Sequence, residues 1–231
     1  YGLCHMDDAL QAPARRQHFS DYEQGPEILS GYQAYEHIPG LNIGGWHGAG
    51  DYDLSFMSQA VTIHTLSLLQ ETFAPAMDEI TVLQNERFVQ LHHPDGKSDL
   101  LQQIEHGVLH LLNSYRSCGY IPEGIISPTL KQYVHLGDAM SMTDNTVYRV
   151  SSDTIPTPDY KRGSMDDRWV FTDYVPRLQY HAIRALASAG RALAVYDDSL
   201  ALQCKQAAEQ LWEDIHKPKI PAASWKNGRN S

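Results

Sequence analysis

Apolar positions first fall into a helical rhythm at Ser55, after more than fifty residues without a period. From Ser55 to about Thr72, Met57, Val61, His64, Leu68 and Leu69 recur largely at spacings of three and four, which predicts a helix that Pro75 ends. A second helix is predicted from Ser98 to about Arg116, with Leu100, Leu101, Ile104, Val108, Leu111, Leu112 and Tyr115 on one face. Ser98 suits its N-cap and Asp99 the positive end of its dipole. A third opens at Pro176 and runs to about Tyr196, carrying Leu178, Ala182, Ile183, Leu186, Gly190 and Leu193. A fourth runs from Ser199 to His216, capped by Asp198 or Ser199 and closed before Pro218. The joint at Val195–Ser199 is short, so helices three and four should pair antiparallel.

The intervening segments are irregular. Residues 1–54 are broken by Pro13, Gly25-Pro26, Gly31, Pro39-Gly40, Gly44-Gly45, Gly48 and Gly50, and read as a long ordered loop region lining a binding site. The polar stretch around His92-His93-Pro94-Asp95-Gly96 reads as a turn. Residues 117–175 are mostly irregular, with a short helix near Pro128–Tyr133. No strand series emerges, so the expected class is all-α with long functional loops.

Composition narrows the function. A hydrophobic share of 42% against 20% charged supplies a core and argues against disorder. Eighteen basic residues against 28 acidic ones leave a net charge of −10, unsuited to a phosphate backbone, so no nucleic-acid partner is expected. No apolar run reaches the ~18–20 residues of a membrane span, and no membrane partner is expected. Cys4, Cys118 and Cys204 lie far apart without finger spacing, which disfavours a structural zinc site and leaves the compartment open.

The densest motif is Gly44-Gly45-Trp46-His47-Gly48-Ala49-Gly50-Asp51-Tyr52. It is no phosphate cradle, because no strand precedes it and no Gly-Lys-Ser/Thr follows. Aromatics and a carboxylate among glycines instead suit close approach of a ligand. His106 and His110 have the i, i+4 spacing of a metal pair, but helical geometry sets them opposite the apolar stripe, and they read as a solvated polar face. No G-x-S-x-G elbow or activated cysteine exists. Asp197-Asp198 reads as a helix cap, and Asp7-Asp8 and Asp166-Asp167 as structural carboxylates.

The 44–52 motif resembles that of glycoside hydrolase family 9, the inverting cellulases and related enzymes, in which Gly-Gly-Trp precedes Asp-Ala-Gly-Asp. Ser98-Asp99-Leu100-Leu101 is similar to the helix start of that family. Leu136–Asn145, Asp167–Thr172 and Cys4–Pro13 resemble a bacterial subgroup. The resemblance implies an (α/α)6 barrel, with residues 1–54 as active-site loops and 55–231 as barrel helices. Four long helices against the family's twelve predict that the chain carries the N-terminal half of a catalytic domain. The remaining C-terminal part would then be its structural partner.

The resemblance also implies the chemistry. Inverting hydrolysis uses two carboxyl groups ~6.5–9.5 Å apart, with a water between the base and the anomeric carbon. It places the general base on Asp51 and the water-holding aspartate at the position of Gly48, which has no side chain for that task. The general acid, a late glutamate, has no counterpart here, and nothing matches Glu123 to it. Trp46 offers a stacking face, and His47, Tyr52, Asp144, Asn145, Arg168 and Trp169 are candidate sugar contacts. No metal or cofactor is called for. The expected substrate is a β-1,4-linked glucan. An exo-β-glucosaminidase acting on chitosan oligosaccharides is the enzyme alternative, and an inactive carbohydrate-binding remnant is the alternative that Gly48 suggests. A polysaccharide-degrading role implies a secreted or periplasmic location, a cytoplasmic one belonging to the glucosaminidase reading.

Overall fold

The computed structural model describes residues 9–18, 21–48, 53–127 and 168–217. Short strands β1 (Leu10–Gln11), β2 (Arg16–Gln17), β3 (Glu23–Gln24) and β4 (Leu54–Ser55) precede helix α1 (Phe56–Phe73). A hairpin, β5 (Ile80–Leu83) and β6 (Phe88–Leu91), leads to α2 (Asp99–Cys118). Strands β7 (Gly124–Ile126) and β8 (Trp169–Phe171) then precede α3 (Pro176–Ala192), a 3-10 turn (Leu193–Val195) and α4 (Asp198–His216).

All four helices lie where the apolar rhythm predicts them. Ser98 caps α2, accepting from the Leu101 N–H at 3.5 Å, and Asp197 caps α4 with a shorter bond of 2.9 Å from Leu200 N–H. Ala74, in the left-handed conformation, closes α1 just before Pro75. α3 and α4 run antiparallel, with Gly190 against Ala201 and Lys205 at one end and Tyr180 against Trp212 at the other. One apolar core joins the inner faces of all four helices, including Ile63, Ile104, Leu111, Ala185 and Leu211.

The all-α expectation is corrected by a sheet of order β1-β8-β7-β4 and two ribbons, β2–β3 and β5–β6. β1 runs parallel to β8, and the other pairings are antiparallel. These strands carry no alternation for a physical reason. Each strand of the sheet is two or three residues long, and β7 and β8 are buried on both faces, so polar and apolar positions never alternate. The hairpin likewise occupies a stretch whose polarity suggested only a turn. The short helix expected near Pro128–Tyr133 lies outside the described residues.

The sheet serves to fasten loops. Leu10 pairs with Trp169, Val170 with Ile125, and Ile125 with Leu54, which ties the N-terminal loops to the start of α1. Behind it, buried Gln24 donates to Asp173 Oδ1 at 2.8 Å and accepts from Thr172 N–H at 2.9 Å. Gln11 donates to Gln24 Oε1 at 3.2 Å. The described part of the 1–54 region is thus held by short strands and side-chain amides in place of long strands.

Candidate functional site

The glycine motif begins where the chain crosses α2. Gly44 and Gly45 have φ of +71° and +82°, and both press against that helix. A Cβ on Gly44 would collide with the His106 carbonyl, and one on Gly45 would come within 2.8 Å of Leu54 Cδ2. Only glycine meets both demands. The approach is then stitched in two directions: Gly45 N–H donates to the His106 carbonyl at 3.2 Å, and His106 Nε2–H donates to the Gly45 carbonyl at 2.7 Å.

Trp46 follows, and each of its polar atoms has a partner. Its N–H donates to Gln59 Oε1 at 2.9 Å, its carbonyl accepts from Gln59 Nε2 at 2.7 Å, and its indole N–H donates to Gln103 Oε1 at 2.9 Å. The ring seats over Gly107 of α2 and meets His106 edge-on at 5.9 Å. Trp46 therefore anchors the loop between α1 and α2, with part of its surface still lining a cavity.

Gly48 N–H donates to the Asp53 carbonyl at 2.6 Å, and the Asp53 carboxylate accepts from Ser127 N–H at 2.7 Å. Ser127 is held in turn by His18, whose Nε2–H donates to its carbonyl at 2.6 Å. Burial lowers the His18 pKa, while its bond to Ser127 and the Asp53 charge oppose that shift. Both flanks of the 49–52 segment are thereby fixed to the sheet and its surroundings. Asp51 and Tyr52 themselves, like Asp144 and Asn145, lie outside the described residues.

The remaining candidates divide. His47 is exposed at the cavity edge, and Arg168 is buried on its wall, its carbonyl accepting from Ala9 and Leu10 N–H. Trp169 is placed elsewhere. It is 3% exposed, meets Tyr35 edge-on at 5.6 Å, and lies beneath the Arg16 guanidinium at 5.1 Å, inside a small second core. The structure thus brings Trp46, His47, Gly48 and Arg168 to one region and sets Trp169 in the sheet.

The solvated reading of His106 and His110 is overturned. His110 is fully buried and stacks flat on Phe56 at 4.5 Å with an interplanar angle of 8°. Neither ring nitrogen makes a well-formed hydrogen bond, and burial pushes its pKa down to about 3, with only a partial offset from the Ile43 backbone. Burial also lowers the His106 pKa, opposed by the Gly45 carbonyl. The face opposite the leucine stripe is covered by the glycine loop, which helical spacing alone does not report. Among the described residues no three His, Cys, Asp or Glu converge as a metal site. The turn at His92-His93 stands as expected, with both rings exposed.

The cavity, about 360 Å³, opens between residues 41–47 and the β5–β6 hairpin. Leu54, His106 and Arg168 complete its described walls, and Gln84, Arg87 and Phe88 face it from the hairpin. The periodicity of the chain gave no sign of this hairpin wall.

A family model, Glycosyl hydrolase family 9, matches residues 15–229. The chain belongs to glycoside hydrolase family 9. Among solved structures, this family 9 chain is similar to a metagenome-derived endoglucanase of the same family, with a TM-score of 0.58 and 22% identity. It is similar as well to a D468A variant of a thermostable endoglucanase from Alicyclobacillus acidocaldarius (TM-score 0.56, 17% identity), and to AaCel9A in complex with cellobiose-like isofagomine (TM-score 0.54, 17% identity). In each case the match covers 96% of this chain and 32% of the other. The likeness is one of fold, and the chain spans about a third of the length of these relatives. No curated protein matches significantly. No helix among the described residues is long and apolar enough to cross a membrane.

Proposed function

We propose that this family 9 chain carries the general-base side of an inverting glycoside hydrolase acting on β-1,4-linked glucan, with Asp51 as the base. The observation that carries the reading is the family match together with the Gly44–Tyr52 motif, whose flanks at Gly48 and Asp53 are hydrogen-bonded to each other. A base must be held within hydrogen-bond reach of its water, and fixed flanks suit that task. Gly48 brings no carboxylate to the water, and its N–H is committed to Asp53, so the base acts with less help than the family pattern provides.

Trp46, His47, Tyr52, Asp144, Asn145 and Arg168 are proposed sugar contacts. Trp169 is better understood as a packing residue, since its ring is enclosed. The glucan substrate is supported by three solved relatives that are endoglucanases or, for AaCel9A, hold a cellobiose-like ligand. These relatives give no support to the chitosan alternative. The reading includes the rest of an (α/α)6 barrel, where a glutamate acid would reside, and a secreted or periplasmic setting. It is tested with Asp51→Ala in the full-length protein. Hydrolysis of cello-oligosaccharides should fall by roughly 10²–10⁴-fold, the usual worth of a general base, with folding retained by circular dichroism. Unchanged turnover would overturn the assignment.

A further inference from the structure

The cavity beside the motif contains a side chain with unfinished bonding. Gln84, at the hairpin turn, has its Nε2 buried with no acceptor in reach. A buried amide donor left unpaired is costly, and a ligand oxygen seated against it removes that cost. Two arginines line the same space. Arg87 is half-buried and donates from Nη1 to the Asn42 carbonyl at 3.2 Å, and Arg168 is 4% exposed. Burial lowers the pKa of Arg87, and a guanidinium in a protein keeps its charge. His106 adds no charge, because burial favours its neutral ring and its Nε2–H is spent on Gly45.

No aspartate or glutamate occurs among the described residues lining the cavity. The recess is mostly apolar, with Leu41, Trp46, Leu54, Val82 and Phe88 among its walls, and it carries the Gln84 amide and the guanidinium groups of Arg87 and Arg168. Guanidinium groups in a partly dried site favour carboxylate over hydroxyl, through charge-assisted bonds, and repel ammonium. The volume of about 360 Å³ falls in the lower part of the ~300–1,000 Å³ range of small-molecule sites.

We infer that this cavity binds the carboxylate-bearing unit of an acidic saccharide, a uronic acid residue, with Gln84 Nε2 and Arg87 as its donors. The binding claim stands on the cavity alone; its meaning for substrate choice rests on the hydrolase reading above. An acidic sugar seated beside the 44–48 loop would make the preferred glucan one with carboxylated units or branches.

Calorimetric titration of the full-length protein with glucuronic acid, glucose and glucosamine tests it. Glucuronic acid should bind at least about tenfold more tightly than glucose, the scale of one charge-assisted bond, and glucosamine most weakly. Gln84→Leu should weaken glucuronic acid binding by about tenfold while leaving the melting temperature unchanged or higher, because the variant removes an unpaired buried donor. Arg87→Gln should abolish the preference over glucose, and Arg87→Lys should restore part of it. Equal affinity for the acidic and neutral sugars, preference for glucosamine, or indifference to both substitutions would overturn the inference. Tight glucuronic acid binding without hydrolysis of any β-glucan would overturn only the hydrolase reading. Asp51-dependent hydrolysis of neutral glucan with no acidic preference would overturn only this one.

Discussion

His110 shows how a single residue can be apolar in effect. Its ring is stacked on Phe56 and sealed by Gly45, and its pKa is pushed down to about 3 from the ordinary 6.5. Between pH 6.5 and about 3 the unfolded chain binds a proton at that ring while the folded chain does not. Stability is therefore fully present above pH 6.5 and is lost progressively as pH falls toward about 3, by on the order of a few kcal/mol. His106, shifted the same way, adds to the loss. His110→Leu, which removes two unpaired nitrogens at similar bulk, should carry the acid-unfolding midpoint to lower pH with little change in stability at pH 7.5. Circular dichroism across pH 3–7.5 checks this, and an unchanged acid limb would contradict it. The sequence misled here for a definite reason. A helical wheel sees the leucine stripe at Leu111 and Leu112, but it cannot see a loop with two left-handed glycines folding onto the opposite face. The motif glycines were legible as glycines that something must approach; that the thing approached was α2 was not.

Among the elements, helices were legible and strands were not. Ser98, Pro75 and Pro176 are boundary signals that act locally, and each sits at the helix end it predicts, while the cap of α4 falls on Asp197, just before the expected Asp198 or Ser199. The sheet depends on pairings such as Leu10 with Trp169, formed by residues far apart in sequence, and its strands are too short to show a period. The wall of the cavity was missed in the same way, since its hairpin strand Phe88–Leu91 is mostly exposed and shows no regular alternation of buried and exposed positions. The α1–α2 crossing makes a sharp prediction. A Cβ on Gly107 would lie 2.5 Å from Trp46 Cη2 and 2.6 Å from Ile63 Cγ1, both far inside contact distance. Alanine in a helix interior would gain about 1 kcal/mol in propensity, whereas overpacking costs about 1–3 kcal/mol and here meets two partners. Gly107→Ala should therefore lower the melting temperature and shift tryptophan fluorescence as Trp46 is displaced. A higher melting temperature would show that the crossing is looser than the structure has it.

Taken whole, the molecule leaves much apolar surface in water. Val61, Leu68 and Leu69 of α1 are about 40% exposed, and Phe73 reaches 72%. Val195, Leu202 and Trp212 are more than half exposed elsewhere. Large apolar patches mark surfaces that another element or chain covers, and this chain spans 32% of its solved relatives. Residues 1–231 expressed alone should therefore self-associate at micromolar concentration, and Leu68→Glu with Phe73→Glu should reduce that association in light scattering. A monodisperse monomer unaffected by these changes would show the face to be content in solvent. At this scale the family was legible from the nine-residue motif at Gly44–Tyr52, supported by further segments such as Ser98–Leu101 and Asp167–Thr172. The placement of Trp169 was not, since an aromatic beside an arginine reads the same in a core as in a cleft. Inverting hydrolysis with Asp51 as base remains the proposal to test. Proton NMR of the first sugar released from a β-1,4-glucan by the full-length protein tests it most directly. An initial α-anomer, absent with Asp51→Ala, is the predicted result; an initial β-anomer would contradict it.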